Sequence, residues 1–216
     1  MKKRLFSIVY MFLLTLAFTS LVTVVKVLSE ERIETNQRVK LERIVLKVLD
    51  VPVPAQASDE KLREIFRDRV KAIQVKAKTL YIHYDKNGRN ILGYAFPVGG
   101  PGFWGPVFGM VAVGPNATKI LGLAFYRHSE TPGLGARMTE DWFTKQFSGL
   151  SLYPITGQKK IFYLKPEGTG KDPNELDAIT GATNTSAAIE SFLNRDLDQF
   201  LREIWDSVRK EAEKNA

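Results

Sequence analysis

The sequence predicts an α+β protein: an N-terminal transmembrane helix, then a domain with a largely antiparallel sheet and flanking helices. Three observations carry that expectation. An uncharged run covers Leu5–Val25. Short strand-like runs separated by turn residues fill the stretch from Thr79 to Leu164. From Ile189 onward, apolar residues fall at Ile189, Phe192, Leu193, Leu197, Phe200, Leu201, Ile204, Trp205 and Val208, the three-and-four spacing of one helix face.

The N-terminal run would span about 31 Å as a helix, close to the hydrocarbon thickness of a bilayer. A cleaved signal sequence would have a shorter apolar region ending at a small-x-small site. Here the run ends in Leu21-Val22-Thr23-Val24-Val25, and Ala55-Gln56-Ala57 lies far downstream. An uncleaved anchor over 5–28 is therefore expected. The basic end at 1–4, with Lys2-Lys3-Arg4, predicts a cytoplasmic N-terminus and an outward-facing remainder. No charged side chain interrupts Leu5–Val25, so this span has no group with which to carry an ion by itself.

Residues 29–78 read as a helical connector. Apolar positions at Ile33, Leu41, Ile44, Val45, Val48 and Leu49 continue a helix until Val51-Pro52-Val53-Pro54 stops it. Asp59-Glu60 open a second helix with Leu62, Ile65, Phe66 and Val70 on one side. The remaining domain is placed at 79–216. Its first two strands, Leu80–Tyr84 and Ile91–Phe96, flank Asn87-Gly88, a strong hairpin signal. A second pair, Val107–Val113 and Lys119–Tyr126, surrounds Gly114-Pro115-Asn116. A short helix is expected over Thr139–Phe147, and Tyr153–Leu164 reads as a strand broken at Thr156-Gly157.

The chain has no Cys, which excludes disulfides, thiolate metal sites and a Cys nucleophile. The net charge of +7 is spread through stretches where both signs alternate, as on solvated helix faces, so no nucleic-acid partner is expected. His83 and His128 are isolated and lack clustered carboxylates, so no metal site is assigned. Nothing near His128 and Glu130 supplies a nucleophile, and no catalytic residue is assigned.

Three segments carry chemistry. Asp177-Ala178-Ile179-Thr180-Gly181-Ala182-Thr183 stands directly ahead of the C-terminal helix. Thr183 is thus expected at a helix N-terminus, where unpaired N–H groups and the macrodipole favour a phosphate. Thr185 and Ser186 are expected to cap that end; an ordinary Thr/Ser-rich cap would have the same composition. Gly99–Pro106 is glycine-rich with Phe103-Trp104, and by itself reads as a turn between strands with a core Trp. His128–Gly135 contains Glu-Thr-Pro-Gly-Leu-Gly, which suits either a surface loop or a frame for a flat heteroaromatic ring.

Taken in order, these segments resemble the covalent-FMN subunit family. The resemblance is to the G subunit of the Rnf ion-translocating electron transport complex, which is related to the C subunit of the sodium-translocating NADH:quinone reductase. It implies FMN joined through its phosphate to Thr183 by a separate flavin transferase that uses FAD and releases AMP. It also implies cofactor-binding roles for Thr180, Gly181, Ala182, Glu130, Thr131, Leu134, Gly135 and Trp104. Phe103 stands where Leu is common in the family. The implied function is electron transfer within a multi-subunit membrane complex, with ferredoxin oxidation coupled to NAD+ reduction and ion movement. The chain would be a redox subunit of that complex, not a self-sufficient enzyme. Its implied place is the inner or plasma membrane, with the flavin domain outside the cytoplasm. The short chain favours the Rnf branch; the C-type subunit and a stand-alone anchored flavoprotein or sensor are the alternatives. An anchored binding domain without flavin is a further one.

Overall fold

Residues 2–76 and 78–208 are described by a computed structural model. Met1, Ala77 and 209–216, which fall in the expected basic end, connector and C-terminal domain, lie outside the described residues. So do the side chains of Lys2, Lys3, Glu31, Arg32 and Glu34. The chain forms two units, up to Leu41 and from Glu42 onward.

The first unit is helical. It belongs to α1, Lys2–Val48, within which Arg4–Glu30 has a mean hydropathy of 2.3 and is long and apolar enough to cross a membrane. The Thr15 and Thr23 hydroxyls donate to the carbonyls of Met11 and Thr19, one turn back. Such bonds satisfy polar side chains inside an apolar helix without a partner from outside it.

The second unit is built on a five-stranded antiparallel meander. Its strands are β1 (Val70–Val75), β2 (Lys78–Tyr84), β3 (Ile91–Pro101), β4 (Pro106–Val113) and β5 (Ile120–Arg127), neighbours in chain order. The α+β expectation is borne out. Helix α2, Asp59–Arg69, starts at Ser58, whose hydroxyl oxygen accepts the Lys61 N–H. Val70, expected on that helix, instead opens β1, which therefore lies inside the stretch read as helical connector.

β3 is the central strand, and it is buried on both faces. The last turns of α1 bury Val45, Leu46 and Val48, with Leu49 just beyond. There the Val48 carbonyl lies 2.7 Å from where a Cβ on Gly122 would sit, so β5 needs glycine at that crossing. The opposite face carries helix α4, Thr183–Gln199, which continues through a wider π-type turn at Phe200–Trp205. Phe200 stacks on Phe96 at 4.1 Å between centroids and Trp205 meets Tyr94 edge-on. Two covered faces explain why β3 reads as a nearly continuous apolar run instead of alternating.

The β2–β3 connection is the expected six-residue stretch 85–90, and Asn87-Gly88 lies inside it. Asp85 accepts the Gly88 N–H at its carbonyl and the Arg89 N–H at its carboxylate, and Gly88 alone takes a positive φ, of 68°. Other local expectations need correction. Of the expected Thr139–Phe147 helix only the short α3, Asp141–Lys145, is α-helical, and a 3₁₀ turn, Gly135–Thr139, precedes it. Most of Tyr153–Leu164 is not strand. Only β6, Tyr163–Lys165, pairs, in parallel with β7, Glu175–Asp177. Ahead of it, the Asn194 side-chain oxygen accepts the Ile161 and Phe162 N–H groups while its amide donates to the Phe162 carbonyl. A side chain from α4 thus takes the place of a neighbouring strand.

His83, in β2, is buried between Val70 and Gly93 in the register. Burial, with a smaller contribution from the Arg69 guanidinium, lowers its pKa below the usual 6.5. The folded state therefore prefers the neutral ring and the unfolded chain binds the extra proton. That contribution to stability is complete above the unfolded value and is lost as pH falls below it. His83→Gln is expected to flatten the decline of stability below about pH 6.5, which denaturation midpoints at about pH 7.5 and about pH 5.5 would measure.

Candidate functional site

Three chain segments meet at one end of the sheet's strands. They are the β3–β4 hairpin tip, the loop after β5, and the approach to α4. Together they line an open cleft of about 340 Å³.

The hairpin tip is closed by a bond from the Gly102 N–H to the Gly105 carbonyl. It holds Phe103 and Trp104 edge-to-face at 5.0 Å, and Trp104 is 66% exposed. The core-Trp reading of this segment is thus overturned. Trp104 lies on the tip between β3 and β4, outside the core and on the wall of the cleft.

In the loop, the Thr131 carbonyl accepts the Leu134 and Ala136 N–H groups. Pro132-Gly133, with φ 74° at the glycine, matches the central pair of a type II turn. Leu134 is left half-exposed on the rim of the cleft.

The approach to α4 is held from four sides. Asp177 exchanges both backbone bonds with the Gln146 side-chain amide, 2.7 Å at its N–H and 3.2 Å at its carbonyl. Its carboxylate accepts the Gly168 N–H. Ile179 is buried and donates its N–H to the Ser186 hydroxyl oxygen, while the Thr180 hydroxyl donates to Glu167. Ile179–Ala182 is itself a turn, closed by the Ala182 N–H on the Ile179 carbonyl with Gly181 at φ 80°. A type II turn demands a residue tolerant of positive φ at that position, which accounts for the glycine.

Thr183 is the first residue of α4 and is exposed. Thr185 and Ser186 do not cap the helix. The Thr185 hydroxyl donates to Glu130, the Ser186 hydroxyl donates back to the Ala182 carbonyl, and the N-cap residue Ala182 has no side-chain acceptor to offer. An α-helix leaves its first N–H groups without intrahelical acceptors, and among the described residues no side-chain cap bond replaces them. No Lys or Arg is among the lining residues, so an anion in the cleft would rest on those N–H groups and the helix dipole.

Of the nine residues expected to bind a cofactor, eight line this cleft: Trp104, Glu130, Thr131, Leu134, Gly135, Gly181, Ala182 and Thr183. Thr180 does not. It faces an adjacent groove of about 480 Å³ that shares Gly181 and Thr183 with the first, so Thr183 stands on the wall between them. Phe103, Asn184 and Thr185 also line the cleft and were not among the residues expected to bind the cofactor. Phe103 was detectable as the neighbour of Trp104. The grip of Gln146 on Asp177 had no signal in the sequence, since the two lie 31 residues apart.

The fit to FMN can be tested on these features. A half-apolar cleft suits the ring system, and a free hydroxyl beside an uncapped helix start suits the phosphate. Residues 102–198 match the family described as FMN-binding domain. The chain is 29% identical over 129 residues to the C subunit of the Na(+)-translocating NADH-quinone reductase of Yersinia pestis, covering 57% of this chain and 48% of that protein. Against the same subunit of Neisseria meningitidis serogroup B it is 30% identical over 139 residues, covering 63% and 52%. The chain thus spans about half the length of the curated relatives it matches. Among solved structures, the C subunit of the Parabacteroides distasonis reductase superposes with a TM-score of 0.66 at 21% identity, over 78% of this chain and 93% of that one. The Shewanella oneidensis protein gives 0.65 at 23%, over 75% and 92%. At such identities these two structures establish a shared fold.

Proposed function

We propose that this chain is a membrane-anchored electron carrier whose FMN is held by a phosphoester to Thr183. The observation that carries the reading is the exposed Thr183 hydroxyl, with no hydrogen bond among the described residues, at the start of α4 and opening on a cleft with an aromatic rim. The FMN-binding domain match over 102–198 supports the cofactor. The apolar helix Arg4–Glu30, together with relatives that are subunits of a sodium-translocating reductase, supports anchoring. The domain would then lie outside the cytoplasm, as the basic N-terminal end implies.

FMN, when bound, supplies one- and two-electron redox chemistry that no side chain of this protein provides. Thr183 would hold its phosphate, with the first N–H groups of α4 stabilising the charge. Leu134 and the Phe103–Trp104 pair would pack against the ring system, and the backbone of Thr131–Gly135 would orient it. The tether would keep the cofactor at high effective concentration near its redox partners. Attachment would be made by a separate flavin transferase from FAD, with AMP released; Thr183 is its substrate, and no residue of this chain is needed as a base.

The relatives named above are C subunits, which favours the quinone-reductase complex over the Rnf complex as the setting. Membranes from cells with and without the gene would test this. Loss of NADH-dependent quinone reduction, with ferredoxin-dependent NAD+ reduction intact, is the expected result. The reverse pattern would restore the Rnf reading, and loss of neither would point to a stand-alone flavoprotein.

A further inference from the structure

Glu130 was expected to touch the cofactor, but its carboxylate is already committed. One oxygen accepts the Phe103 and Trp104 N–H groups at 2.8 and 3.0 Å, and the other accepts the Thr185 hydroxyl at 2.6 Å. The residue is only 5% exposed, and all three of these partners are neutral donors. Two glycines make room for it. A Cβ on Gly102 would lie 2.6 Å from one carboxylate oxygen, and a Cβ on Gly135 would lie 2.6 Å from the other. Two glycines of the motif segments therefore clear space for the Glu130 carboxylate.

We propose that Glu130 is a positioning residue: it latches the β3–β4 hairpin tip to the first turn of α4 and so fixes the Phe103–Trp104 pair beside Thr183. The Gly102–Gly105 bond closes the tip on itself but does not tie it to α4. Both aromatic side chains are more than half exposed, so apolar burial restrains them weakly, whereas a buried carboxylate restrains their two amides strongly. The other end of the latch is fixed because Thr185 is buried in α4. The latch is a property of the FMN-free chain; only its consequence for the cofactor rests on the reading of Thr183 as the attachment point.

Amide hydrogen exchange on the full-length, FMN-free chain in detergent tests it. Glu130→Ala is expected to raise exchange at the 103–104 amides by about tenfold or more, the loss expected for charge-assisted bonds. Glu130→Gln keeps an oxygen for both amides and can reverse the bond to Thr185, so its rise should stay within about threefold. Thr185→Val, which cuts only the helix end, is expected to raise exchange at the same two amides by about threefold. In the FMN-loaded chain, the flavin absorbance of Glu130→Ala should move towards that of free FMN while that of Glu130→Gln stays near wild type.

Unchanged exchange at 103–104 in folded Glu130→Ala would overturn the latch. So would a Gln variant that behaves like Ala, because its side-chain oxygen still accepts both amides and a latch made of those bonds should largely survive. Should Glu130→Ala fail to fold, Thr185→Val decides, and no rise there overturns the coupling of tip to helix. A wild type that shows the latch yet accepts no flavin would defeat the Thr183 reading alone.

Discussion

Thr183→Ala is expected to abolish covalent flavin attachment outright while leaving the fold unchanged. Four hydroxyls lie in Thr180–Ser186, and the structure separates them. Thr180 donates to Glu167, Thr185 is buried on Glu130, and Ser186 is buried between Ile179 and Ala182. Thr183 alone is exposed with no hydrogen bond among the described residues, and it sits where the helix start can receive a phosphate. An exposed Thr at the first helical position contributes little to stability, so the substitution should change it by no more than about 0.5 kcal/mol. The chain would be co-expressed with a flavin transferase, then read by intact mass and by flavin fluorescence on a denaturing gel. Wild type and Thr183→Ser should carry one FMN, and Thr183→Ala none. Attachment that persists in Thr183→Ala would reject Thr183 as the site. An unmodified wild type, with the transferase active on a control substrate, would leave an anchored α+β domain without covalent flavin.

Phe200→Ala should produce the largest loss of stability, about 3–5 kcal/mol. Phe200 and Phe96 are both fully buried and stacked nearly parallel, at 4° between planes. Truncation would remove that contact and leave a cavity between β3 and the end of the C-terminal helix, where neither element can collapse freely. For a domain of this size the melting temperature would fall by roughly 6–20 °C. Phe200→Leu fills most of the space and should cost less, about 1–3 kcal/mol, the difference being the unfilled ring volume. Thermal melts followed by near-ultraviolet circular dichroism would measure both. A loss below about 1 kcal/mol for the Ala variant would mean that the helix end is not packed on the sheet as described.

The anchor candidate, the four main strands of the meander and helix α4 were legible because each is marked by short-range pattern. Twenty-one uncharged residues need no partner to declare themselves, and the three-and-four spacing from Ile189 to Val208 reports a face directly. The order of the three motif segments was likewise readable. Their meeting was not: the Thr185–Glu130 bond alone bridges 55 residues of sequence, and the hairpin tip lies further still from α4. Tyr153–Ile161 misled because its composition suits a strand, while its actual partner is the amide of Asn194 on α4.

By itself, the sequence determined which residues are apolar, where turns must bend, and that a Thr stands at a helix start after a Gly-Ala pair. Those properties arise from interactions within a few positions, so local chemistry suffices to state them. Only the tertiary structure decided that Trp104 is exposed, that Gly102 and Gly135 accommodate a carboxylate, and that Thr183 keeps its hydroxyl free. Each of those outcomes depends on which distant group arrives first at a hydrogen-bonding atom or a space, and the fold alone sets that.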